Sequence, residues 1–563
     1  MIYVKKGIVS LLIAFCLVLT VSAELPVQYQ KVLESMSLEE KVGQMLLLGI
    51  SDTYVSSTVK QVVSELKAGG IVLFASNLTS TAQAVELTTK LQQEALKNRI
   101  EVPLLITADE EGGLVSRMPY GMVTMPGNMA LGASRNEYLA MLAYYHTGRQ
   151  LRALGINMNL APVLDVNNNI NNPVIGVRSF GSDPVLVANM GVAALAGLKN
   201  AGVGSVVKHF PGHGDTAIDS HLALPIVRKT KEELEKMELL PFEKALQNGA
   251  RAVMTAHISF PNLTGGTSVP ATLSGEILTG ILRASWGYNG IIATDDMLMN
   301  AIANHFGFKE AVVMAVKAGA DQILIAGNPS KQREAQQALL DAVKRGEISE
   351  ARIDQSVERI FALKAELGLF PSEMPEYLDP KTEAEEAGKI ALEVALGATT
   401  RLKGEGRPLS KNEKVLLVAV DNNLQGAGGR NGQKISNYMR LQLNQKGFDS
   451  VETVSISYRP TLAEQAEVVK KAQQADVVVY LTRNATDEQI ELASKITNKP
   501  LILVALQNPW AITDSENIKA IFATYGYTEA SLEALTMVLA GEEEAMGRLP
   551  VDISESLPYG HRN

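Results

Sequence analysis

The stretch Ala201-Gly202-Val203-Gly204-Ser205-Val206-Val207-Lys208-His209 reads as a helix end, a glycine turn and a short apolar strand that finishes on two polar residues. Glycine suits the turn from a helix into the next strand. The same form recurs along the chain, where short runs rich in Val, Ile and Leu alternate with longer amphipathic stretches, as in parallel βα units. Eight such runs lie at 45–50, 70–74, 103–108, 158–162, 205–209, 252–256, 290–294 and 322–326.

Eight strands alternating with helices predict an α/β fold with an N-terminal TIM-type (β/α)8 barrel, which we place at 24–365. A doubly wound sheet is the alternative for the same periodicity. The chain of 563 residues is long enough for two domains. A second alternation predicts a smaller three-layer α/β domain over 414–563, with strands at 414–420, 451–456, 475–481, 501–507 and 520–525.

The strand pattern stops between the two domains. Residues 366–413 are charged and interrupted by proline, which indicates a linker containing one helix. The prolines are Pro371, Pro375, Pro380 and Pro408.

The N-terminus has the pattern of an export signal. Two lysines precede an apolar run at 7–21, and Val21-Ser22-Ala23 carries small residues of the kind that a signal peptidase reads. We therefore expect 1–23 to be a signal peptide and the protein to be exported, either extracellular or associated with the cell wall or membrane surface. An uncleaved anchor is the alternative, although a span needs about 20 apolar residues.

The only cysteine, Cys16, lies inside this apolar run. Lipid attachment there is disfavoured because the preceding Phe15 is bulky. Cleavage after Ala23 would leave no thiol, which would exclude disulfides and cysteine catalysis.

Composition narrows the classes of partner. With 46% hydrophobic and 20% charged residues, the chain matches a soluble globular protein. Its net charge of -9 opposes nucleic-acid binding, which relies on a basic surface. A small uncharged or anionic substrate fits better, and we expect a monomer.

Polar residues fall repeatedly at the ends of the predicted barrel strands, where TIM barrels build their active sites. The alternative is that they are helix N-caps and solvated loop residues, which Asp favours. They are Asp109, Lys208, His209, His257, Asp295 and Asp296.

The segment Lys208-His209-Phe210-Pro211-Gly212-His213-Gly214-Asp215-Thr216, followed by Asp219-Ser220-His221, holds three of the seven histidines. His209 and His213 have the four-residue spacing of helical zinc motifs. Pro and Gly between them make a helix improbable, so we expect no metal and no other cofactor. A second interpretation is acid/base catalysis, in which Asp219 fixes the tautomer of His221 and leaves its other ring nitrogen to donate a proton.

This segment resembles the catalytic loop of the bacterial β-N-acetylglucosaminidases of glycoside hydrolase family 3. Other stretches resemble that family in the same order, so the resemblance covers nearly the whole mature chain, including a two-domain layout. They are Asp109-Glu110-Glu111-Gly112-Gly113 with Arg117, Asn172-Pro173-Val174-Ile175-Gly176 with Arg178-Ser179-Phe180-Gly181, Thr294-Asp295-Asp296, and Gly547-Arg548-Leu549-Pro550-Val551.

The resemblance implies Asp295 as nucleophile, His221 as general acid/base and Asp219 as its orienting partner. It also implies a set of sugar ligands, whose charged groups suit bidentate hydrogen bonds to neighbouring hydroxyls. These ligands are Asp109, Arg117, Arg178, Lys208 and His209. The chain departs from the commoner family pattern at Glu110, where many members have Gln, and at Val177, where many have Asp.

The implied activity is exo-acting, retaining release of terminal β-linked N-acetylglucosamine from muropeptides through a covalent glycosyl-enzyme. Glycines 212 and 214 suggest that the loop carrying His221 is mobile. Three alternatives stay open: a family 3 β-glucosidase or β-xylosidase, an N-acetylglucosaminide phosphorylase, and an inactive cell-wall-binding protein.

Overall fold

The computed structural model describes residues 26–370, 378–404, 409–497, 499–510 and 517–563. The predicted signal peptide, Cys16 and three of the linker prolines, Pro371, Pro375 and Pro408, lie outside these ranges. No helix within them is long and apolar enough to cross a membrane.

Eight parallel strands form the first sheet. They are β1 (Leu46–Gly49), β2 (Gly70–Leu73), β3 (Leu105–Ala108), β4 (Met158–Asn159), β5 (Gly204–Phe210), β6 (Ala252–Thr255), β7 (Ile291–Ala293) and β8 (Ile323–Ile325). Their order in the sheet is β7-β6-β5-β4-β3-β2-β1-β8. A parallel bridge between Ala293 and Gln322 joins the two edges, so the sheet closes on itself. The predicted TIM-type barrel is confirmed, and each of the eight predicted runs overlaps a strand.

Side-chain caps and turns set where the barrel helices begin and end. Asp183 caps the N-terminus of helix Pro184–Asn200, because its Oδ1 accepts the Leu186 N–H at 2.7 Å. Proline occupies the first turn of this helix. The α-helices of this domain are Val27–Ser35, Leu38–Gln44, Ser57–Lys60, Thr81–Ala95, Asn128–Ser134, Glu137–Ala153, Pro184–Asn200, Lys231–Lys236, Leu239–Gln247, Asn300–Phe306, Phe308–Ala318, Pro329–Lys344 and Glu350–Glu366, with π-helical segments at Gln61–Glu65 and Glu276–Ser285.

The second domain is a six-stranded sheet covered on both faces. Its strands are β9 (Thr400–Lys403), β10 (Val415–Val420), β11 (Val451–Ile456), β12 (Val477–Thr482), β13 (Leu501–Ala505) and β14 (Ile518–Ala523), and its helices are Ile435–Gln445, Leu462–Ala472, Asp487–Lys495 and Glu529–Leu539. The order is β11-β10-β12-β13-β14-β9. Alternate residues of β10 enter two separate apolar cores, one on each face. The predicted three-layer α/β arrangement is confirmed.

Strand β9 lies inside the range interpreted from sequence as a linker, so the expectation that no strand occurs there is wrong. It pairs antiparallel with β14 at the edge of the second sheet. Only four residues long, β9 alternates buried Thr400 and Leu402 with half-buried Arg401 and Lys403. A polar alternation this short gives little signal above the charged sequence around it.

The helix expected in that range is Pro380–Ala398, and Asp379 caps its N-terminus. It packs against barrel helix Glu137–Ala153, where Arg149 donates from Nε and Nη2 to both oxygens of Glu383 at 3.0 and 2.6 Å. This helix is therefore packed against the barrel.

Candidate active site

The carboxyl ends of the barrel strands bring a buried lysine between two carboxylates. Lys208 of β5 is only 2% exposed, and its Nζ lies 2.7 Å from Asp109 Oδ1 and 2.7 Å from Glu111 Oε1. Burial lowers the pKa of Lys208, but the two carboxylates outweigh it and hold the pKa above its ordinary value. Lys208 is therefore a charged donor inside the barrel mouth.

Glu111 is also held by a bidentate ion pair. Arg178, at the end of the turn Gly176–Arg178, donates from Nε and Nη2 to Glu111 Oε2 and Oε1 at 2.9 and 2.8 Å. Burial raises the pKa of Glu111, but Arg178 and Lys208 overcome it and hold the pKa far below its usual range. Both carboxylate oxygens of Glu111 are thus engaged, whereas Asp109 is nearer the open side.

Arg117 lies beside Asp109 with donor capacity to spare. Its Nη2 is 3.7 Å from Asp109 Oδ2, and the two side chains are 22% and 20% exposed. Its guanidinium carbon lies 5.9 Å from the centre of the Phe74 ring, within cation–π range. Arg117 Nε is buried and has no hydrogen-bond partner among the described residues. The two partly exposed side chains are therefore accessible from the mouth of the barrel.

Glu110 lies beneath this pair and fixes the backbone of Arg117. The Glu110 side chain is 1% exposed, and its Oε2 accepts the Ser116 hydroxyl at 2.9 Å and the backbone N–H groups of Arg117 at 2.6 Å and Met118 at 3.2 Å. Burial raises the pKa of Glu110 to about 7, although these hydrogen bonds oppose the rise. The group therefore changes charge near neutral pH.

Asp165 is a fully buried carboxylate that organises the histidine segment. Its Oδ2 lies 2.7 Å from His209 Nδ1, while Oδ1 accepts the backbone N–H groups of His213 at 2.6 Å and His209 at 3.3 Å. Burial raises the pKa of Asp165, but the interactions with His209 and His213 leave it below its ordinary value. The ionised carboxylate fixes the His209 proton on Nδ1 and leaves Nε2 for another partner.

His213 is buried and bonds through both ring nitrogens. Nδ1 lies 2.9 Å from Thr216 Oγ1, and Nε2 lies 2.9 Å from Ser220 Oγ. Burial lowers the pKa of His213 to about 4, against the opposing charge of Asp165. The imidazole is therefore neutral at physiological pH and joins two parts of the segment. In the described ranges, no group of three or more His, Cys, Asp and Glu side chains is arranged to hold a metal ion.

Asp219 and His221 form a hydrogen-bonded pair at the exposed end of the same segment. Asp219 Oδ1 accepts the His221 backbone N–H at 2.8 Å and lies 2.8 Å from His221 Nδ1. Burial raises the pKa of Asp219, but the hydrogen bonds to His221 outweigh burial and hold the pKa below its ordinary value. The His221 side chain is 62% exposed, and among the described residues its ring bonds to Asp219 alone. Its Nε2 is therefore open to a ligand.

One glycine of the segment is required by close packing. A Cβ on Gly214 would lie 1.6 Å from the carbonyl oxygen of Val166. Asn172 also fixes this part of the loop, because its Nδ2 donates to the carbonyls of His213 and Gly214 at 2.8 Å each. Gly214 thus permits close contact at the base of the loop, whereas the sequence suggested that it provides mobility.

Asp295 follows β7, and within the part of the chain that the structure describes its side chain accepts one hydrogen bond, from the Asp296 backbone N–H at 2.7 Å. Burial raises the pKa of Asp295, but the charges of His257, His209 and Lys208 and this hydrogen bond lower it more. The carboxylate is therefore ionised.

The neighbouring Asp296 is committed to the backbone. Its Oδ1 accepts the N–H groups of Leu298 and Ala326 at 3.1 Å each, and burial raises its pKa. The buried His257 donates from Nε2 to the Asp296 carbonyl at 3.0 Å. Of the two adjacent acids, Asp295 is thus the one whose carboxylate has fewer hydrogen bonds to the backbone and is more available to react.

Six of the eight predicted site residues form two groups, whereas His209 bonds to Asp165 and Asp295 to the Asp296 backbone. Asp109, Arg117 and Lys208 are joined directly by ion pairs, and Glu111 connects Arg178 to them. Asp219 and His221 form a separate pair with no hydrogen bond or ion pair to Asp295.

Two residues that organise the site, Asp165 and Glu111, are not among those predicted from sequence. Asp165 carries a weak signal, because it follows the predicted run 158–162 closely. Glu111 lies inside the motif that begins at Asp109.

Comparisons with known proteins show which family this chain resembles. Residues 37–363 match the model of the glycosyl hydrolase family 3 N terminal domain. The chain is 29% identical over 564 residues to "Beta-hexosaminidase A" of Pseudoalteromonas piscicida, covering 89% of this chain and 92% of the relative. It is 29% identical over 558 residues to "Beta-N-acetylglucosaminidase/beta-glucosidase" of Cellulomonas fimi, covering 92% and 94%. The solved family 3 β-N-acetylglucosaminidase of Paenibacillus sp. str. FPU-7 superposes with a TM-score of 0.85 at 39% identity, covering 92% of this chain and 99% of that one.

Charged side chains gathered at the carboxyl mouth of a closed barrel are the arrangement in which TIM-barrel enzymes build their active sites. The chain belongs to glycoside hydrolase family 3. The resemblance read from the sequence is confirmed, and the protein is a glycosidase that acts on β-linked sugars.

Proposed function

We propose that this glycosidase is an exo-acting, retaining β-N-acetylglucosaminidase that releases terminal non-reducing N-acetylglucosamine. The observation that carries the proposal is the presence, in one barrel mouth, of an ionised and uncommitted Asp295 and a separate Asp219–His221 pair. The printed names of the relatives and of the Paenibacillus structure support the choice of sugar.

The first step forms a glycosyl ester. An oxygen of Asp295 attacks the anomeric carbon while protonated His221 donates its Nε2 proton to the departing glycosidic oxygen. The bond from the anomeric carbon to the aglycone breaks, and the leaving group departs as a neutral alcohol. Asp219 keeps the Nδ1 proton in place and stabilises the imidazolium before transfer.

The second step reverses these roles. Neutral His221 accepts a proton from water at Nε2, the water oxygen bonds to the anomeric carbon, and the Asp295 carboxylate leaves. Two displacements at one carbon retain its configuration. The exposed position of His221 suits both steps, because the leaving group and the water approach from the solvent side.

The remaining sugar ligands act through their charged groups. Asp109 and Arg117 bind ring hydroxyls in the proposal, because they lie at the open side with unused capacity. Lys208 and His209 supply a charged donor and the free Nε2, whereas Arg178 contributes through the part of its guanidinium not bonded to Glu111. Holding the hydroxyls fixes the anomeric carbon near Asp295.

Trapping the intermediate tests the nucleophile, the sugar and the covalent step together. A slow fluorinated N-acetylglucosaminide should label the enzyme, and peptide mass mapping should find the label on Asp295. Wild-type enzyme should cleave nitrophenyl N-acetylglucosaminide faster than the plain glucoside. A label elsewhere, or a product of inverted configuration, would exclude the mechanism.

A second candidate activity is hydrolysis of β-glucosides, which the name of the Cellulomonas relative supports. Equal rates on the two nitrophenyl substrates would favour this broader activity.

We also propose that the natural substrates are peptidoglycan-derived muropeptides, acted on by an exported monomer. The N-terminal lysines and apolar run support export. Comparing hydrolysis of N-acetylglucosaminyl-muramic acid with chitobiose tests the substrate. N-terminal sequencing of secreted protein tests cleavage after Ala23, and sedimentation tests the monomer.

A further inference from the structure

A glycine-rich loop of the second domain, Gln425–Arg430, contacts the barrel segments next to Arg117. Gln425 fixes the loop to its own domain, because its Oε1 accepts the Tyr527 backbone N–H at 2.8 Å. Gly426 has φ +60°, and a Cβ there would lie 2.0 Å from Thr124 Oγ1. Next to it, the Ala427 backbone N–H donates to the same Thr124 oxygen at 2.9 Å. The loop therefore lies directly against the barrel.

Arg430, at the end of this loop, bonds to two barrel segments that contact Arg117: the one that follows Arg117 itself and the one that follows Phe74. Its Nε donates to the carbonyl of Met118, the residue after Arg117. Its Nη1 donates to the carbonyls of Ala75 at 3.0 Å and Leu78 at 3.4 Å, just after Phe74. Phe74 is the ring that supports the Arg117 guanidinium.

A chain of hydrogen bonds leads from the same loop to Glu110. Thr124 Oγ1, which accepts from Ala427, lies 2.9 Å from Ser116 Oγ, and that hydroxyl donates to Glu110 Oε2 at 2.9 Å. Glu110 Oε2 in turn accepts the backbone N–H of Arg117. Arg117 is thus constrained through its own amide, through the next carbonyl and through the ring beneath its guanidinium.

We infer that Arg430 of the second domain is a positioning residue for the sugar-binding Arg117, so that the affinity of the barrel for its sugar depends on the second domain. This inference rests on the proposed function, in which Arg117 binds a sugar hydroxyl. A guanidinium suits the task because its planar donors reach several carbonyls at once, which an ammonium does less well. Arg430 acts on binding and has no part in the transfer of the proton or the sugar.

The test measures binding and chemistry separately in Arg430→Met. We expect KM for nitrophenyl N-acetylglucosaminide and the inhibition constant of free N-acetylglucosamine to rise together by about tenfold, the effect of one or two charged hydrogen bonds, with kcat within about twofold of wild type. Arg430→Lys should recover part of the loss. Gly426→Ala should raise KM in the same way, because its methyl displaces the loop from Thr124.

The matched control is Arg459→Ala, which removes an exposed arginine of the same domain that pairs with Glu488. It should match wild type, and all variants should keep a cooperative thermal transition. An unchanged KM and inhibition constant in Arg430→Met, with wild-type enzyme active, would overturn the positioning role. A wild-type enzyme that does not cleave the N-acetylglucosaminide would instead overturn the proposed function.

Discussion

His213 Nε2 and Ser220 Oγ lie 2.9 Å apart, so a buried imidazole at the base of the loop after β5 contacts the residue between Asp219 and His221. This contact joins a buried part of the site to an exposed one. The loop between β5 and the following helix has no regular secondary structure from 211 to 225, so these side-chain bonds define its path.

Replacing His213 should change how stability depends on pH. Burial holds the pKa of His213 at about 4 in the folded chain, against 6.5 as the ordinary value, so the unfolded chain binds the proton first as pH falls. The contribution of neutral His213 is complete above pH 6.5 and is lost between about 6.5 and 4. At about 1.4 kcal/mol per pKa unit, the loss is roughly 3 kcal/mol.

Thermal unfolding of His213→Gln at several pH values measures this effect. The variant should lose stability less steeply than wild type between pH 6.5 and 4. His305→Gln, at an exposed histidine, serves as control and should follow wild type. Identical slopes for wild type and His213→Gln would contradict the assignment.

Asp295→Asn should abolish turnover and leave the fold intact. Losing the nucleophile costs about 10⁴-fold or more in kcat for covalent enzymes. Adding azide should restore some cleavage of an activated substrate and give the α-glycosyl azide, because azide then attacks the anomeric carbon in place of the carboxylate. Azide product of β configuration would argue against Asp295 as nucleophile.

Asp219→Asn should slow proton transfer without removing the nucleophile. An amide in place of the carboxylate no longer fixes the Nδ1 proton of His221 or stabilises the imidazolium, so we expect a loss of about 10²- to 10⁴-fold. The loss should be large for leaving groups that need a proton and small for dinitrophenol, which leaves as an anion. Measuring kcat/KM across aryl N-acetylglucosaminides gives this dependence. Equal losses for every leaving group would place Asp219 outside the acid/base step.

Glu110→Gln should remove a pH effect on sugar binding. Burial holds the pKa of Glu110 at about 7, so the group loses its charge as pH falls below 7. The protonated form accepts the Arg117 N–H more weakly and no longer offsets the charges of Arg117 and Arg430. KM should therefore rise several-fold below pH 7 in wild type.

In Glu110→Gln, KM should stay at the low-pH level of wild type throughout, because the amide keeps the geometry but carries no charge. Measuring KM from pH 5.5 to 8.5 in both proteins is sufficient. A variant that keeps the wild-type profile would assign the pH effect to another group.

The barrel and the exposed pair follow from local patterns in the sequence. The apolar runs at 205–209 and 290–294 predict strands, and parallel strands align their carboxyl ends, so Lys208 and Asp295 are expected at one mouth. Asp219 and His221 are two residues apart, so their pairing needs no knowledge of the fold.

Contacts between segments far apart in the chain cannot be predicted from local patterns. Asp165 and His209 are 44 residues apart, and Thr124 and Ala427 are 303 apart, so no local pattern records them. Strand β9 escapes prediction for a related reason, because its alternation of Thr400, Arg401, Leu402 and Lys403 becomes a strand only when β14 supplies its partner.

The loop that carries Asp219 and His221 has a buried base and an exposed tip. His213 and Gly214 are held by buried hydrogen bonds and close backbone contact, whereas Ile218 and Leu222, which flank Asp219 and His221, are 49% and 72% exposed. Substitutions at those two apolar positions should therefore leave the proposed sugar ligands in place. We expect substitutions of Ile218 and Leu222 to change the specificity for the aglycone without changing the specificity for the released sugar.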